Sequence, residues 1–482
     1  MGRRQNSVMK KRKRILSIML CAALAVCGIP AAAYGQTADN DETSIEANVE
    51  ATIDLNSAKD LEGTGYSWDA SKHTLTLEDA DLTSVGQPIF LLDEKEDVKI
   101  VLKGESLLSC QGAAAILGET KNTAGALTIT GTGSLTIKGY VDINSSNVTL
   151  ASCHLTIEPL SDDEKQRSFV NRGAGGFLVT GGAQVVLKAG LSIRSVEDEL
   201  IVNGSGLTVR TSQPEPAIDT SGNVTIKNGG VLKAYNDFQP SEEEQAEKPV
   251  YNFCNGLYIL GSLNAEEGSI LEVISLSGAG IRIDFGDCIL AGQEMYIEGQ
   301  GQAVRVMKFG SVPEIQVPDD AGWTYSTVTT QVPDMDVYMA TFSQDPEEVI
   351  SCEDITAEII GGTSKIDFQS EAVTKAKAVL DRIELKAYTK AYAATSEKSR
   401  RMKVWWEQTN EPTEYVTRYQ VARSESKDGP YEIIFTTTKD NYFNTAGLTK
   451  GNRYYYKVRA YIQINDTLYY SDWSNITYKI AK

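Results

Sequence analysis

Two clusters of acidic residues are the side chains in this sequence that best suit a hard cation. Calcium takes several oxygen ligands, and closely spaced carboxylates supply them. The clusters are Glu78, Asp79 and Asp81, then Asp93, Glu94, Glu96 and Asp97. The alternative for each cluster is a solvated turn, because exposed turns also collect charged residues. Calcium is the one cofactor that the sequence suggests.

Residues that could cleave a glycosidic bond are sparse. Hydrolysis needs two opposed carboxylates. Two pairs of adjacent acids lie in polar or proline-flanked loops, Asp162-Asp163 and Asp319-Asp320. A lyase would need a basic residue near acids that bind calcium, and Arg282 with Asp284 on one strand face is the best such pair. We therefore predict a protein that is not an enzyme, with a polysaccharide lyase or glycoside hydrolase as the alternative.

The first 35 residues have the pattern of a signal peptide. Seven basic residues lie between Arg3 and Arg14, an apolar stretch runs from Ile15 to Gly28, and small residues follow. Cleavage is expected near Ala33 or Gly35, and the alternative is a retained N-terminal anchor. No later apolar stretch approaches the length of a membrane span. The sequence predicts a secreted or extracellular protein that is free or associated with the cell surface.

Charge divides the mature chain into two parts. The chain beyond residue 35 contains 39 basic and 65 acidic residues, so its net charge is −26. Residues 377–482 carry +6, so residues 36–376 carry −32. So acidic a body repels nucleic acid and anionic lipid, and neither is an expected partner. Residues 36–60 are predicted to be an acidic linker.

Residues 61–310 repeat one short phrase of strand-forming triplets. Leu127-Thr128-Ile129 recurs as Val148-Thr149-Leu150 after 21 residues, and Leu135 recurs as Leu155 after 20. Apolar and polar residues alternate within each triplet, and glycine or asparagine turns separate the triplets, which predicts short strands. A period near 20 residues predicts the coils of a parallel β-solenoid. The alternative is a β-sandwich or jelly roll. Two acidic segments, 161–167 and 237–248, interrupt the repeat and are predicted to be loops between coils.

Five scattered cysteines remain after the signal peptide, at 110, 153, 254, 288 and 352. They form no CxxC pair and have no metal-ligand spacing. We predict small buried core residues, and the alternative is a disulfide framework.

The start of the repeat resembles the carbohydrate-binding-domain proteins exported by gut Firmicutes. The resemblance lies in Trp68, Asp69, Leu75 and Leu77, and in the coil phrase of residues 125–139. It implies a right-handed parallel β-helix that binds a polysaccharide, in some relatives with calcium. The long acidic insertions depart from that pattern. Trp68 is expected to be a core residue of the cap, with a sugar platform as the alternative.

The last hundred residues change in composition and resemble a fibronectin type III domain. Residues 411–482 hold 11 of the 22 tyrosines. The phrase from Leu448 to Tyr454 resembles the approach to strand F, with Tyr454 at the tyrosine corner. Trp405 or Trp406 matches the buried tryptophan of strand B. We predict this domain at 377–482, with a solenoid cap and linker at 311–376.

Together these features predict an all-β protein that binds a polysaccharide or cell-wall glycan without catalysis. The solenoid would present the binding face, and the sandwich would act as a spacer, anchor or adhesion module. A polysaccharide-degrading enzyme and a purely structural envelope protein are the alternatives. Neither the glycan nor the oligomeric state can be predicted from this sequence.

Overall fold

The computed structural model describes residues 51–482 with internal gaps, and it describes residues 324–343 and 363–365 by their backbone alone. The gaps are 58, 93–95, 119–124, 161–165, 195–198, 242–253, 301, 319–323, 333–334, 344–362, 395–399, 410–417 and 466. The predicted signal peptide therefore lies outside the described residues. Within them, no helix is long and apolar enough to cross a membrane.

A parallel β-solenoid with three faces makes up the first part of the chain. Each turn contributes one strand to sheet 2, one to sheet 3 and one to sheet 1, in that order along the chain. The predicted solenoid is confirmed, and the register explains the sequence repeat: Leu127 pairs with Val148, and Leu135 with Leu155. Because side chains alternate between the two faces of a strand, both apolar residues of each such pair point into the core.

The strands are numbered β1 to β42 in chain order. Sheet 1 contains β1 (Ile53–Asp54), β6 (Phe90–Leu91), β9 (Ile116–Leu117), β12 (Val141–Ile143), β15 (Phe169–Asn171), β18 (Leu191–Ile193), β21 (Ile218–Thr220), β24 (Leu257–Ile259), β27 (Ile281–Asp284), β30 (Val304–Phe309), β33 (Met335–Ser343) and β32 (Thr324–Val332). Sheet 2 contains β2 (Leu61–Gly63), β3 (Tyr66–Asp69), β4 (Thr74–Glu78), β7 (Val98–Lys103), β10 (Leu127–Gly131), β13 (Val148–Ala151), β16 (Phe177–Thr180), β19 (Glu199–Asn203), β22 (Asn223–Lys227), β25 (Leu263–Ala265), β28 (Cys288–Leu290) and β31 (Ile315–Gln316). Sheet 3 contains β5 (Asp81–Val85), β8 (Glu105–Gln111), β11 (Ser134–Lys138), β14 (His154–Glu158), β17 (Gln184–Leu187), β20 (Gly206–Thr211), β23 (Val231–Asn236), β26 (Ile270–Ser275), β29 (Glu294–Gln300) and β34 (Thr363–Gln369).

The core is a set of stacked aliphatic ladders, because each turn alone cannot bury its inward face. Leucine, isoleucine and valine line it at almost every inward position, and one continuous cluster runs from Ile53 to Phe368. Cys110, Cys153, Cys254 and Cys288 are buried and form no disulfide with one another, which agrees with the predicted small core residues; Cys352 lies outside the described residues. Burial raises the pKa of Cys153 to about 11 and that of Cys288 to about 12, so these thiols stay protonated.

Antiparallel strands extend one sheet at the start of the solenoid and two sheets at its far end. At the start, β2 and β3 form a hairpin beside β4. Trp68 of this hairpin is 2% exposed, and its indole N–H donates to the Ser57 carbonyl at 3.2 Å. Trp68 is thus a core residue of the cap. At the far end, β33 pairs with β30, and β34 pairs with β29.

The solenoid extends beyond its predicted boundaries. Ile53–Asp54 pairs in parallel with Phe90–Leu91, so part of the predicted linker at 36–60 belongs to sheet 1. The last parallel strand ends at Gln316 rather than at 310. Two-residue strands carry too little alternation to be recognised from sequence, which explains both differences.

The C-terminal part is a sandwich of two antiparallel sheets. One sheet has the order β35 (Leu385–Tyr392), β36 (Arg401–Gln408), β39 (Asn441–Asn444). The other has the order β38 (Glu432–Thr437), β37 (Arg418–Ser424), β40 (Arg453–Ile464), with β41 (Thr467–Tyr470) and β42 (Thr477–Ile480) both beside β40. In strand letters these sheets are A-B-E and C′-C-F-G, the arrangement of a fibronectin type III domain.

Two aromatic residues define the core of the sandwich. Tyr454 is fully buried and its hydroxyl accepts the Thr449 backbone N–H at 2.9 Å, which is the tyrosine-corner contact. Of the two adjacent tryptophans, Trp406 is the buried one, at 2% exposure. The structural assignment of Trp405 is therefore corrected: alternation along β36 turns Trp405 outward, where it stacks on Tyr388.

One helix, α1 (Glu371–Leu380), joins the two parts and was not predicted. The Ser370 hydroxyl caps it by accepting the Val373 N–H. Its apolar side, with Val373, Val379 and Leu380, packs against Tyr469 of the sandwich. The predicted domain boundary at 377 falls inside this helix.

Candidate functional site

Sheet 1 is the face of the solenoid that has long connections on both of its sides. Connections from sheet 2 to sheet 3 have one to four residues. Connections on the two sides of sheet 1 reach 20 residues between β23 and β24, and nine between β9 and β10. Because loops that rise from a rigid scaffold build most binding sites, the outer face of sheet 1 is the candidate site. The two predicted acidic insertions, 161–167 and 237–248, fall in the connections β14–β15 and β23–β24, and residues 161–165 and 242–248 of them lie outside the described residues.

All six arginines between residues 36 and 376 lie on sheet 1 or at its edges. Arg282 and Arg305 are on its strands. Three more lie within two residues of its strands, namely Arg167, Arg172 and Arg194. Arg210 lies at the end of β20, the sheet 3 strand that precedes β21 of sheet 1. Sheets 2 and 3 use lysine elsewhere on their outer faces. Arginine presents a planar fork of donors that matches paired oxygen acceptors.

Four polar residues of sheet 1 stand in one row across neighbouring strands. Asp219 pairs with Tyr258, Tyr258 with Arg282, and Arg282 with Arg305. Parallel strands lie about 4.8 Å apart, so the row spans roughly 14 Å. We call Asp219, Tyr258, Arg282, Asp284 and Arg305 the sheet 1 strip.

The centre of the strip is a fixed network of three side chains. The Arg282 guanidinium donates to both oxygens of the Asp284 carboxylate, at 2.8 to 3.2 Å. The Tyr258 hydroxyl donates to Asp284 Oδ2 at 3.1 Å, and the guanidinium lies 5.2 Å from the Tyr258 ring centre. The Asp284 side chain is only 4% exposed, so its orientation is held by these contacts. The buried Asp284 carboxylate thereby fixes the Arg282 guanidinium, which is 17% exposed, beside the Tyr258 ring.

The other end of the strip is a second group of charges. Arg167 Nε donates to Glu215 at 2.9 Å, and its Nη1 donates to the carbonyls of Leu191 and Pro216. Asp219 lies 3.9 Å from Arg167. Burial raises the pKa of Asp219, and the attraction of Arg167 and Arg194 offsets only part of that rise. Charged donors and acceptors thus also alternate here.

An aromatic pair borders the strip next to Asp284. The rings of Phe285 and Phe309 are stacked, with centres 4.8 Å apart and planes 22° apart, and both are half-buried. Phe285 has φ of 82°, a conformation that costs free energy in a bulky L residue. Such outliers cluster at functional sites. The pair extends the available ring surface beyond Tyr258.

The predicted calcium ligands are not brought together by the described residues. Glu78 pairs with Lys103, and Asp79 Oδ1 accepts the Glu105 backbone N–H at 2.9 Å. Asp97 Oδ1 likewise accepts the Ala126 N–H at 2.8 Å. Among the described residues, no three His, Cys, Asp or Glu side chains could hold a metal ion together, Asp81 and Glu96 included. Asp93 and Glu94 lie outside the described residues, so that cluster stays a prediction.

The sequence singled out Arg282 and Asp284, and the structure joins them. It did not single out Asp219, Tyr258 or Arg305, because they are far apart in the chain and become neighbours only through the register. One signal was present: arginine is confined to six positions between 167 and 305 while lysine is spread along the body.

No protein-family model matches the chain. No curated protein matches it either. One similar solved structure is the solution structure of a fibronectin type III domain from the human KIAA0970 protein, at 23% identity, covering 23% of this chain and 82% of that chain, with a TM-score of 0.17. By its own strand order, the chain is a parallel β-solenoid followed by a β-sandwich that resembles a fibronectin type III domain.

Proposed function

We propose that this protein is an exported, non-catalytic glycan-binding protein, and that the outer face of sheet 1 is its binding face. The sandwich acts as a spacer or an anchor. One observation carries the proposal: in-register arginine, aspartate and tyrosine side chains stand on the face that has long connections on both sides.

The chemistry of the strip suits a sugar. A sugar ring offers neighbouring hydroxyls, which both donate and accept hydrogen bonds, and an apolar C–H face. The Arg282 guanidinium, which Asp284 holds in place, and the Tyr258 hydroxyl supply polar groups at fixed positions. Tyr258 and the Phe285–Phe309 pair supply ring surface. Several sugar units of a chain could lie along a row of roughly 14 Å.

Two features support binding without catalysis. Asp284 is held by Arg282 in an ion pair, and Glu215 is held by Arg167. Each carboxylate is thus engaged by a guanidinium, whereas glycoside hydrolysis needs two carboxyl groups that face the scissile bond. One observation favours the enzyme alternative: burial raises the pKa of Asp219, as a general acid requires.

The test is a panel of plant and bacterial cell-wall glycans exposed to the chain from residue 36 onward. We expect binding to at least one polysaccharide, with no new reducing ends and no unsaturated products after prolonged incubation. We also expect EDTA to leave the affinity unchanged, because the strip offers arginines and no cluster of carboxylates.

Other outcomes would reassign the protein. Unsaturated or reducing-end products would make it a polysaccharide-degrading enzyme. Binding lost in EDTA would place the ligand at the acidic clusters. Failure to bind any glycan of the panel would favour the structural envelope role.

A further inference from the structure

The outer face of sheet A-B-E in the sandwich alternates cations with aromatic rings. We call it the basic–aromatic face. Its outward side chains on β35, β36 and β39 are Lys386, Tyr388, Lys390, Tyr392, Arg401, Lys403, Trp405 and Phe443. Glu407, at one end and opposite Lys386, is the acidic residue that shares this face on the described part of β36.

The rings are ordered by each other and by the cations. Tyr388 and Trp405 stack with centres 5.5 Å apart and planes 19° apart. The Lys403 ammonium lies 5.7 Å from the Trp405 ring centre, and the Lys390 ammonium 5.3 Å from that of Tyr392. All of these side chains are exposed or half-buried. The face is therefore an ordered platform open to solvent.

One pair on this face works against stability. Lys390 and Lys403 are directly opposite each other on β35 and β36. Like charges at directly opposed positions destabilise an antiparallel pair. An anion bound between them would relieve that repulsion, and the neighbouring rings would contact an apolar surface attached to the anion.

We infer that the basic–aromatic face binds an acidic polysaccharide, whose sugar rings carry carboxylates. The ring C–H faces stack on Tyr388 and Trp405, and the carboxylates pair with Lys390 and Lys403. This goes beyond the proposed function, because the site lies on the other part of the chain. Nucleic acid, with its denser charge, is repelled more strongly by the acidic solenoid.

The experiment compares two forms of one polymer against the chain from residue 36 onward. Polygalacturonate is the charged probe, and its fully methyl-esterified form is the neutral control. We expect K390Q/K403Q to weaken polygalacturonate binding about tenfold at low salt. Trp405→Ala, which changes no charge, should weaken it severalfold. K427Q/K450Q, which removes two exposed lysines elsewhere on the sandwich, should change it less than about twofold.

Several outcomes would overturn the inference. Equal binding of the methyl ester would show that carboxylates are not read. Unchanged binding in Trp405→Ala would reduce the contact to charge attraction alone. Tighter binding of a single-stranded oligonucleotide, or self-association that K390Q/K403Q abolishes, would assign the face to a different partner. Loss of polygalacturonate binding in R282L/D284N, which alters only the sheet 1 strip, would place the ligand there instead.

Discussion

Replacing Gly131 by alanine is expected to destabilise the solenoid by more than about 3 kcal/mol. Gly131 ends β10 with φ of 126°, which L side chains rarely adopt. A Cβ atom there would lie 2.2 Å from the carbonyl oxygen of Leu102 and 2.7 Å from its nitrogen. Both are backbone atoms of the adjacent strand, so the two strands would have to separate.

A matched control exists in another turn. Gly182 also has a positive φ, 78°, but a Cβ there meets nothing within 4 Å. Gly182→Ala therefore carries only the backbone strain, about 1 kcal/mol. The midpoint of thermal unfolding, followed by circular dichroism, should fall much further in Gly131→Ala than in Gly182→Ala. Equal shifts would contradict the strand packing described here.

Replacing Tyr469 by alanine is expected to destabilise the sandwich by about 3 to 5 kcal/mol. The Tyr469 ring is buried among Val373, Val379 and Leu380. Its hydroxyl accepts from Gln293 Nε2 at 3.0 Å and donates to Glu294 Oε1 at 2.6 Å. Burial, followed by the hydrogen bond to that carboxylate, raises the pKa of Tyr469, which keeps the hydroxyl a donor at neutral pH.

The adjacent residue supplies the control. Tyr470 follows on the same strand but is 39% exposed and lies outside this junction. Tyr470→Ala should therefore shift the unfolding midpoint far less than Tyr469→Ala. Tyr469→Phe keeps the packing and loses two hydrogen bonds, so we expect an intermediate loss of about 1 to 3 kcal/mol. If the alanine variants at 469 and 470 were equally stable, the sandwich would not depend on its contact with the solenoid.

Several polar contacts join the solenoid to the sandwich. Besides Tyr469, Asn465 donates to Gln293 Oε1 at 3.2 Å, and Lys377 of α1 pairs with Glu294. These contacts tie β29 and the preceding residue Gln293 to α1 and to the β40–β41 hairpin. The sandwich is held against the solenoid by specific side-chain contacts, so we expect this junction to be rigid rather than freely hinged.

The solenoid could be predicted because its determinants are local and repeated. Inward triplets such as Leu127-Thr128-Ile129 recur at the spacing of one turn, and the register joins those residues. The tyrosine corner was predictable because Tyr454 and its partner Thr449 are five residues apart. Such features need only a short window of sequence.

The site and the junction could not be predicted in the same way. Asp219 and Arg305 share a row only because intervening loops of very different lengths still return each strand to register. α1 carries local helix signals, a serine cap at 370 and apolar residues at Val373, Ala376 and Leu380, but it is short and lies between strand-rich segments. The choice between Trp405 and Trp406 depended on which residue of β36 faces inward, and neighbouring tryptophans carry no local signal for that.

We propose that the sheet 1 strip binds the glycan. One affinity measurement tests this assignment directly. R282L/D284N removes both members of the central ion pair and so leaves no unpaired buried charge. E78Q/K103L removes an exposed ion pair from sheet 2 in the same way. With the polysaccharide selected from the panel, we expect the affinity of R282L/D284N to fall at least about tenfold while that of E78Q/K103L stays unchanged, with thermal midpoints close to that of the unmodified chain. Wild-type affinity in R282L/D284N would contradict the assignment of the binding face.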